Sequence, residues 1–236
     1  MKIGLFTDCH YCKSQLGGGR DARASLGKIK ELMDAFKREN VDICFCLGDL
    51  TDNGKEDTRE TVIQCFTEAT KLIRSYEIPY YLVPGNHDYL MLKAEELEAM
   101  VGYKIPPYTV SADKYDFIIL DANYRSSMVR FDIEGVEWTD SNLPPFQIEY
   151  LRNALEKSER ECIVLIHENL DPAIHESHVV KNAEQIRAVI KNSGKVRLVL
   201  QGHFHGGAEA EIDKIPYVTL PAMCEHAENF YRIIEL

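Results

Sequence analysis

The chain has 236 residues, 45% hydrophobic and 28% charged, a composition that fits a soluble globular protein and excludes a collagenous or low-complexity chain. Its 38 acidic against 27 basic side chains leave a net charge of −11, which argues against a polynucleotide grip built on a basic face but allows a small anionic ligand held by local cations. No apolar run is long enough to span a bilayer.

The N-terminal MKIGLFTDCH enters a strand at once and lacks the apolar stretch and cleavage site of a secretory signal, so cytoplasmic residence is expected. The seven cysteines are odd in number, and several sit in apolar runs such as VDICFCLG, so they read as reduced core thiols. Cys9 and Cys12 flank His10, but no second cysteine pair completes a thiolate zinc site.

In chain order, apolar runs predict buried strands over 2–7, 41–47, 80–83, 115–120, 161–166 and 196–201. Between them, Leu26, Ile29, Leu32, Met33 and Phe36 share one helical face, as do Val62, Cys65, Phe66, Ala69 and Ile73. Further helices are expected over about 91–100, 146–157 and 181–192, and short strands near 208–213, 216–220 and 229–235. The alternation of strand and helix predicts a largely parallel sheet with helices outside. The C-terminal third adds a mixed sheet, or a second sheet packed on the first. Nothing resembling a linker divides the chain, so 1–236 reads as a single domain.

Ligand-type residues recur where these strands end. TDCH offers Asp8 and His10, GDLTDNG offers Asp49, GNHD offers Asn86, His87 and Asp88, IHEN offers His167, and GHFH offers His203 and His205. That edge of an open α/β sheet is where ligands bind, so five segments deliver oxygen and imidazole donors to one place. In extended chain, residues i and i+2 share a side, so Asp8 with His10, and His203 with His205, are expected to address a common centre. Glycines at 48, 85 and 202 remove side chains where the backbone turns sharply or approaches another group.

The ordered blocks Asp8-Cys9-His10, Gly48-Asp49 with Asp52, Gly85-Asn86-His87-Asp88, His167 and Gly202-His203-Phe204-His205 resemble the scattered signature of the calcineurin-like metallophosphoesterases. The match runs from residue 8 to 205. The resemblance implies a four-layer α/β/β/α sandwich with two mixed sheets. It also implies two divalent metal ions, one bound by Asp8, His10, Asp49 and His205, the other by Asn86, His167, His203 and the shared Asp49. Imidazole and oxygen donors without thiolate suit Mn²⁺, Fe²⁺/Fe³⁺ or Zn²⁺.

The chemistry so implied is hydrolysis of a small phosphodiester or nucleotide-type pyrophosphate by metal-bound hydroxide. His87 would protonate the leaving oxygen and Asp52 would orient it; a structural neighbour of the metals and a loop-capping aspartate are their alternative readings. Asn53 stands where protein serine/threonine phosphatases carry an arginine, and Asp52 where purple acid phosphatases carry a tyrosine ligand, so neither class fits. The chain is instead similar to the cyclic-nucleotide phosphodiesterases and the manganese-dependent ADP-ribose/CDP-alcohol diphosphatases.

Asn53, His178 and Asn182 are candidate substrate contacts, with turn-shaping, helix-capping or solvated roles as the alternatives; His175 has the same two readings. Trp138, Tyr103, Tyr108 and Tyr124 either stack on a base or belong to the core. Residues 89–112 and 123–143 are candidates to cover the site, and Phe204 is expected to point away from it. A phosphomonoesterase and a non-catalytic metal-binding scaffold are the rival functions. A nuclease is disfavoured by the acidic balance, and no membrane partner is expected.

Overall fold

Apolar residues of the first strand, Lys2–Phe6 (β1), divide between two faces: Ile3 and Leu5 enter one core and Phe6 another. Ile43–Cys46 (β2) does the same, with Ile43 and Phe45 on one side and Cys44 and Cys46 on the other. A strand apolar on both faces must be covered on both, and this period of two builds the layers. The structure, a computed structural model, describes residues 1–16, 20, 22–133, 135–225 and 227–236.

One sheet has the order β10-β1-β2-β3, where β3 is Tyr80–Leu82 and β10 is Arg232–Glu235. Its first three chain-order strands are parallel, and β10 returns antiparallel to β1. The other sheet has the order β4-β5-β6-β7-β9-β8. It comprises Tyr108–Ala112 (β4), Tyr115–Ile119 (β5), Glu161–Leu165 (β6), Val196–Gln201 (β7), Ala208–Ile212 (β8) and Ile215–Thr219 (β9). Strands β5, β6, β7 and β9 are parallel, with β4 and β8 antiparallel at the edges.

Helices Ser25–Arg38 (α1), Arg59–Arg74 (α2) and Ala94–Val101 (α3) cover the outer face of the first sheet through Ile29, Leu32, Phe36, Val62, Phe66 and Leu97. Pro145–Lys157 (α4) and Ala183–Ser193 (α5) cover the second through Ile148, Leu151, Leu155, Ile186 and Ile190. Between the sheets, Ile3, Leu5 and Phe45 meet Phe117, Ile119, Ile163 and Leu165. Each such fully buried side chain contributes about 1.5–3 kcal/mol. The result is the expected α/β/β/α sandwich with two mixed sheets.

Strand β4 was not anticipated. Its residues YTVSA are only half-buried at a sheet edge, so they form no apolar run. Residues 89–112 accordingly build α3 and β4 and do not cover the ligand-type residues. Tyr103 accepts a hydrogen bond from the Leu82 N–H and Tyr108 donates one to the Leu82 carbonyl, so both brace β3. Tyr124 is buried under the Arg130 guanidinium. Among the described residues, no helix is long and apolar enough to cross a membrane. All seven cysteines are buried and free of disulfides.

Candidate metal centre

The two sheets run parallel strands toward one shared edge, and the loops leaving β1, β2, β3, β6 and β7 carry Asp8, Asp49, Asn86, His167 and His203 there. Asp8 (φ 50°), His10 (φ 47°), Asp49 (φ 52°) and His203 (φ 66°) occupy the left-handed region. This corrects the extended-chain expectation: the strand has ended at each of these positions, and the aim is set by a sharp left-handed turn. Such backbone costs of order 1 kcal/mol or more per non-glycine residue and recurs at functional sites. Gly48 has φ 111°, and a Cβ there would strike the His167 ring; a Cβ on Gly85 would strike the Asp49 carboxylate.

The side chains converge. His10 Nε2 lies 3.2 Å from His205 Nε2, 3.7 Å from Asp8 Oδ1 and 3.6 Å from Asp49 Oδ2. His205 Nε2 is 3.4 Å from Asp8 Oδ1. On the other side, the same Asp49 Oδ2 is 3.3 Å from His167 Nε2, and the donor atoms of Asp49, His167 and His203 lie within 4.8 Å of one another. Asp49 thus stands between two clusters.

Ring orientation follows from the second nitrogen. Nδ1 of His10 donates to Asp52 Oδ2 at 2.9 Å, Nδ1 of His167 to the Leu47 carbonyl at 2.6 Å, and Nδ1 of His205 to Glu225 Oε1 at 2.6 Å. Each bond fixes the tautomer that leaves Nε2 as a lone-pair donor, an arrangement usual for metal-binding histidines. Among the expected ligands, four buried atoms have no hydrogen-bond partner: Asp8 Oδ1, Asn86 Oδ1, His167 Nε2 and His203 Nε2. An uncompensated buried polar atom costs about 1–3 kcal/mol, so four at one point fit divalent cations well.

Charge tells the same story. Burial by itself would raise the Asp8 and Asp49 carboxyls, but neighbouring histidines hold both below the usual carboxylate range. Burial pulls His10 down, yet the bonds to Asp52 and Asp8 and the charge of Asp49 overcome it and push it up to about 10. Asp52, likewise buried, is held low by its bonds to His10 and His87. In the chain alone, protons on imidazoles balance the carboxylates where cations would.

Asp88 is not one of the converging donors. Its buried carboxylate accepts from the backbone N–H groups of Gly85 (2.9 Å), Asp49 (3.0 Å), Leu50 (3.0 Å) and Thr51 (3.3 Å), tying two of the loops together. His87 donates its backbone N–H to Asp49 Oδ1 at 2.8 Å, and its Nδ1 lies 2.9 Å from Asp52 Oδ1.

A cavity of about 480 Å³ opens over the cluster, lined by Asp49, Asn86, His87, His203 and His205 together with Arg20, Trp138, His178, Phe204 and Gly206. His178 is therefore brought to the site, and burial pulls its imidazole below the ordinary value. Phe204 lines the cavity, which corrects the expectation that it points away; the left-handed turn at His203 re-aims it. Asn53 and Asn182 are not among the lining residues. The Asn182 amide is spent on the Leu143 backbone, accepting at 3.0 Å and donating at 2.8 Å. Asn53 closes the turn by donating its N–H to Asp52 Oδ1 at 2.7 Å. His175 is exposed, and its Nδ1 pairs with Ser177.

Cys9 is buried in the core and Cys12 donates to the Ser14 carbonyl at 3.1 Å; burial pushes the Cys12 thiol up to about 12, away from a thiolate. The sequence reading missed three neighbours. Arg20 follows a glycine run, Glu225 lies beyond β9, and Cys224 comes within 4.8 Å of the His10 and His205 nitrogens. Only the glycines before Arg20 were a usable signal.

The model of the calcineurin-like phosphoesterase family matches residues 1–207. The chain belongs to that family. It is 23% identical over 231 residues to the 3',5'-cyclic adenosine monophosphate phosphodiesterase CpdA of Haemophilus influenzae, covering 95% of this chain and 77% of that protein. A 3',5'-cyclic-nucleotide phosphodiesterase of Nostoc is also 23% identical over 231 residues, with 95% and 79% covered. The fold matches that of a dimetal phosphatase from Danio rerio with a TM-score of 0.82 at 16% identity, covering 100% of this chain and 92% of that one. This calcineurin-like phosphoesterase is a metal-dependent hydrolase of phosphoesters.

Proposed function

We propose that this phosphoesterase hydrolyses a small phosphodiester or nucleotide-type pyrophosphate at a pair of divalent ions, Mn²⁺, Fe²⁺/Fe³⁺ or Zn²⁺, within one domain spanning 1–236. The observation that carries the reading is the set of four partnerless buried donors beside Asp49. Asp8, His10, Asp49 and His205 hold one ion; Asn86, His167, His203 and the shared Asp49 hold the other. Bound there, two divalent ions neutralise phosphoryl charge and lower the pKa of water so that hydroxide is available near neutrality.

The chain's own groups do the rest. Nδ1 bonds hold His10, His167 and His205 with Nε2 inward. His87, with Nδ1 against Asp52, keeps Nε2 for the cleft, where it delivers a proton to the departing oxygen. Arg20 supplies a guanidinium to an otherwise acidic rim, 3.8 Å from Asp52 and 3.6 Å from Glu225. The cyclic-nucleotide phosphodiesterases among the relatives support a diester substrate.

The test compares initial rates on bis(p-nitrophenyl) phosphate and p-nitrophenyl phosphate with metal-loaded protein. A faster diester rate is expected. A faster monoester rate would make the protein a phosphomonoesterase, and no turnover with metal demonstrably bound would leave a metal-binding scaffold.

A further inference from the structure

Three aromatic side chains line one side of the cavity: Trp138, in the 3-10 turn Trp138–Asp140, His178, in the 3-10 turn Glu176–His178, and Phe204. The Trp138 and His178 ring centroids lie 5.2 Å apart, and those of His178 and Phe204 5.4 Å apart. His203 stands at the foot of this wall, its ring 5.8 Å from Trp138 and 5.2 Å from His178. The wall therefore begins at a residue of the metal cluster.

None of these rings is stacked in parallel on another; the interplanar angles run from 46° to 73°. Trp138 is 39% exposed, one of the few large apolar side chains left open to solvent among the described residues. It belongs to the stretch 123–143 between β5 and α4, which brings the indole over the cleft without burying it. An indole left open above a phosphoester site is suited to a flat, apolar-faced group carried by the substrate.

We infer that Trp138, with His178 and Phe204, forms a subsite that stacks the nucleobase of a nucleotide whose phosphate lies over the Asp49 cluster. The inference rests on the phosphoesterase reading above and narrows it to substrates carrying a nucleobase. Stacking on an aromatic side chain is sequence-tolerant and changes affinity by roughly 5- to 100-fold per base, so the subsite selects nucleotides over sugar phosphates.

Trp138 is the sole tryptophan, so its fluorescence reports directly on this wall. The experiment titrates Mn²⁺-loaded protein with adenosine 5'-monophosphate and with ribose 5-phosphate, following fluorescence and, by calorimetry, affinity. Saturable quenching by the nucleotide is expected, with affinity about tenfold or more above that of ribose 5-phosphate. Trp138→Ala should remove most of that difference while leaving ribose 5-phosphate affinity unchanged, and Trp138→Phe should retain it.

Equal affinities for the two probes, no nucleotide binding at millimolar concentration, or an unchanged nucleotide affinity in Trp138→Ala would each overturn the subsite. Binding and turnover fail separately. A protein that binds the nucleotide through Trp138 but hydrolyses no phosphoester contradicts only the catalytic reading, and one that hydrolyses diesters but treats the two probes alike contradicts only the subsite.

Discussion

Asp52 accepts a 2.9 Å hydrogen bond from His10 Nδ1 on one oxygen, while its other oxygen lies 2.9 Å from His87 Nδ1. One carboxylate therefore aims both a metal-cluster imidazole and the proposed acid. Asp52→Asn leaves one acceptor where two are used. It should lower both Mn²⁺ affinity and kcat by about 10- to 100-fold, the usual cost of losing an outer partner of a metal-binding histidine. Metal titration and steady-state rates on the same preparation check this; loss of kcat alone would show that Asp52 serves only His87.

His87 lines the cleft with its side chain and donates its backbone N–H to Asp49, while a ring nitrogen lies within 4.8 Å of donor atoms of His10 and Asp49. His87→Ala should keep its metals. Activity should fall about 10²- to 10⁴-fold on diesters with poor, alkoxide leaving groups and much less on p-nitrophenyl esters, whose leaving group needs no proton. An unchanged rate on the poor leaving groups would remove His87 as the acid.

Arg20 is the one Lys or Arg among the lining residues described, half-exposed and 3.8 Å from Asp52 and 3.6 Å from Glu225. A guanidinium so placed binds the substrate anion before and during reaction alike. Arg20→Ala should raise KM roughly tenfold with little change in kcat. A lowered kcat at constant KM would instead put Arg20 in the transition state.

Proton competition gives a pH dependence. Against the pull of burial, the carboxylates around them push His10 up to about 10 and hold His167 and His205 above the ordinary histidine value, so the metal-free chain favours protons on these imidazoles. Metal uptake must displace those protons, so affinity falls as pH falls and the competition persists far above pH 6.5. Asp8, Asp49 and Asp52 are held low and do not compete. In the metal-free chain the three raised histidines contribute stability that is fully present below pH 6.5 and is lost as pH rises through their folded values, about 10 for His10. Calorimetric Mn²⁺ titrations at pH 7.5, in buffers of different ionisation enthalpy, should show net release of protons on binding. Release of none would contradict the ligand set.

The fold was legible wherever burial on both faces makes an unbroken apolar run, as in β2 and β6, and illegible at β4, whose edge position leaves alternate residues polar. The converging donors were legible because each ends a strand. Their aim was not, because positive φ at Asp8, His10, Asp49 and His203 depends on contacts between loops, such as the Asp88 clamp on the Asp49 loop. Glu225 reaches His205 from 20 residues away, and no local pattern signals such a partner.

Asp49, with one oxygen 3.6 Å from His10 Nε2 and 3.3 Å from His167 Nε2, is the residue on which a two-ion centre depends. The most direct test titrates metal-stripped wild-type and Asp49→Asn protein with Mn²⁺ while recording bound metal and the initial rate on bis(p-nitrophenyl) phosphate. Two ions per wild-type chain are predicted, with the rate rising as the second binds, and disrupted occupancy of both positions in Asp49→Asn. Turnover by the stripped protein, or two ions held at full occupancy by Asp49→Asn, would contradict the account.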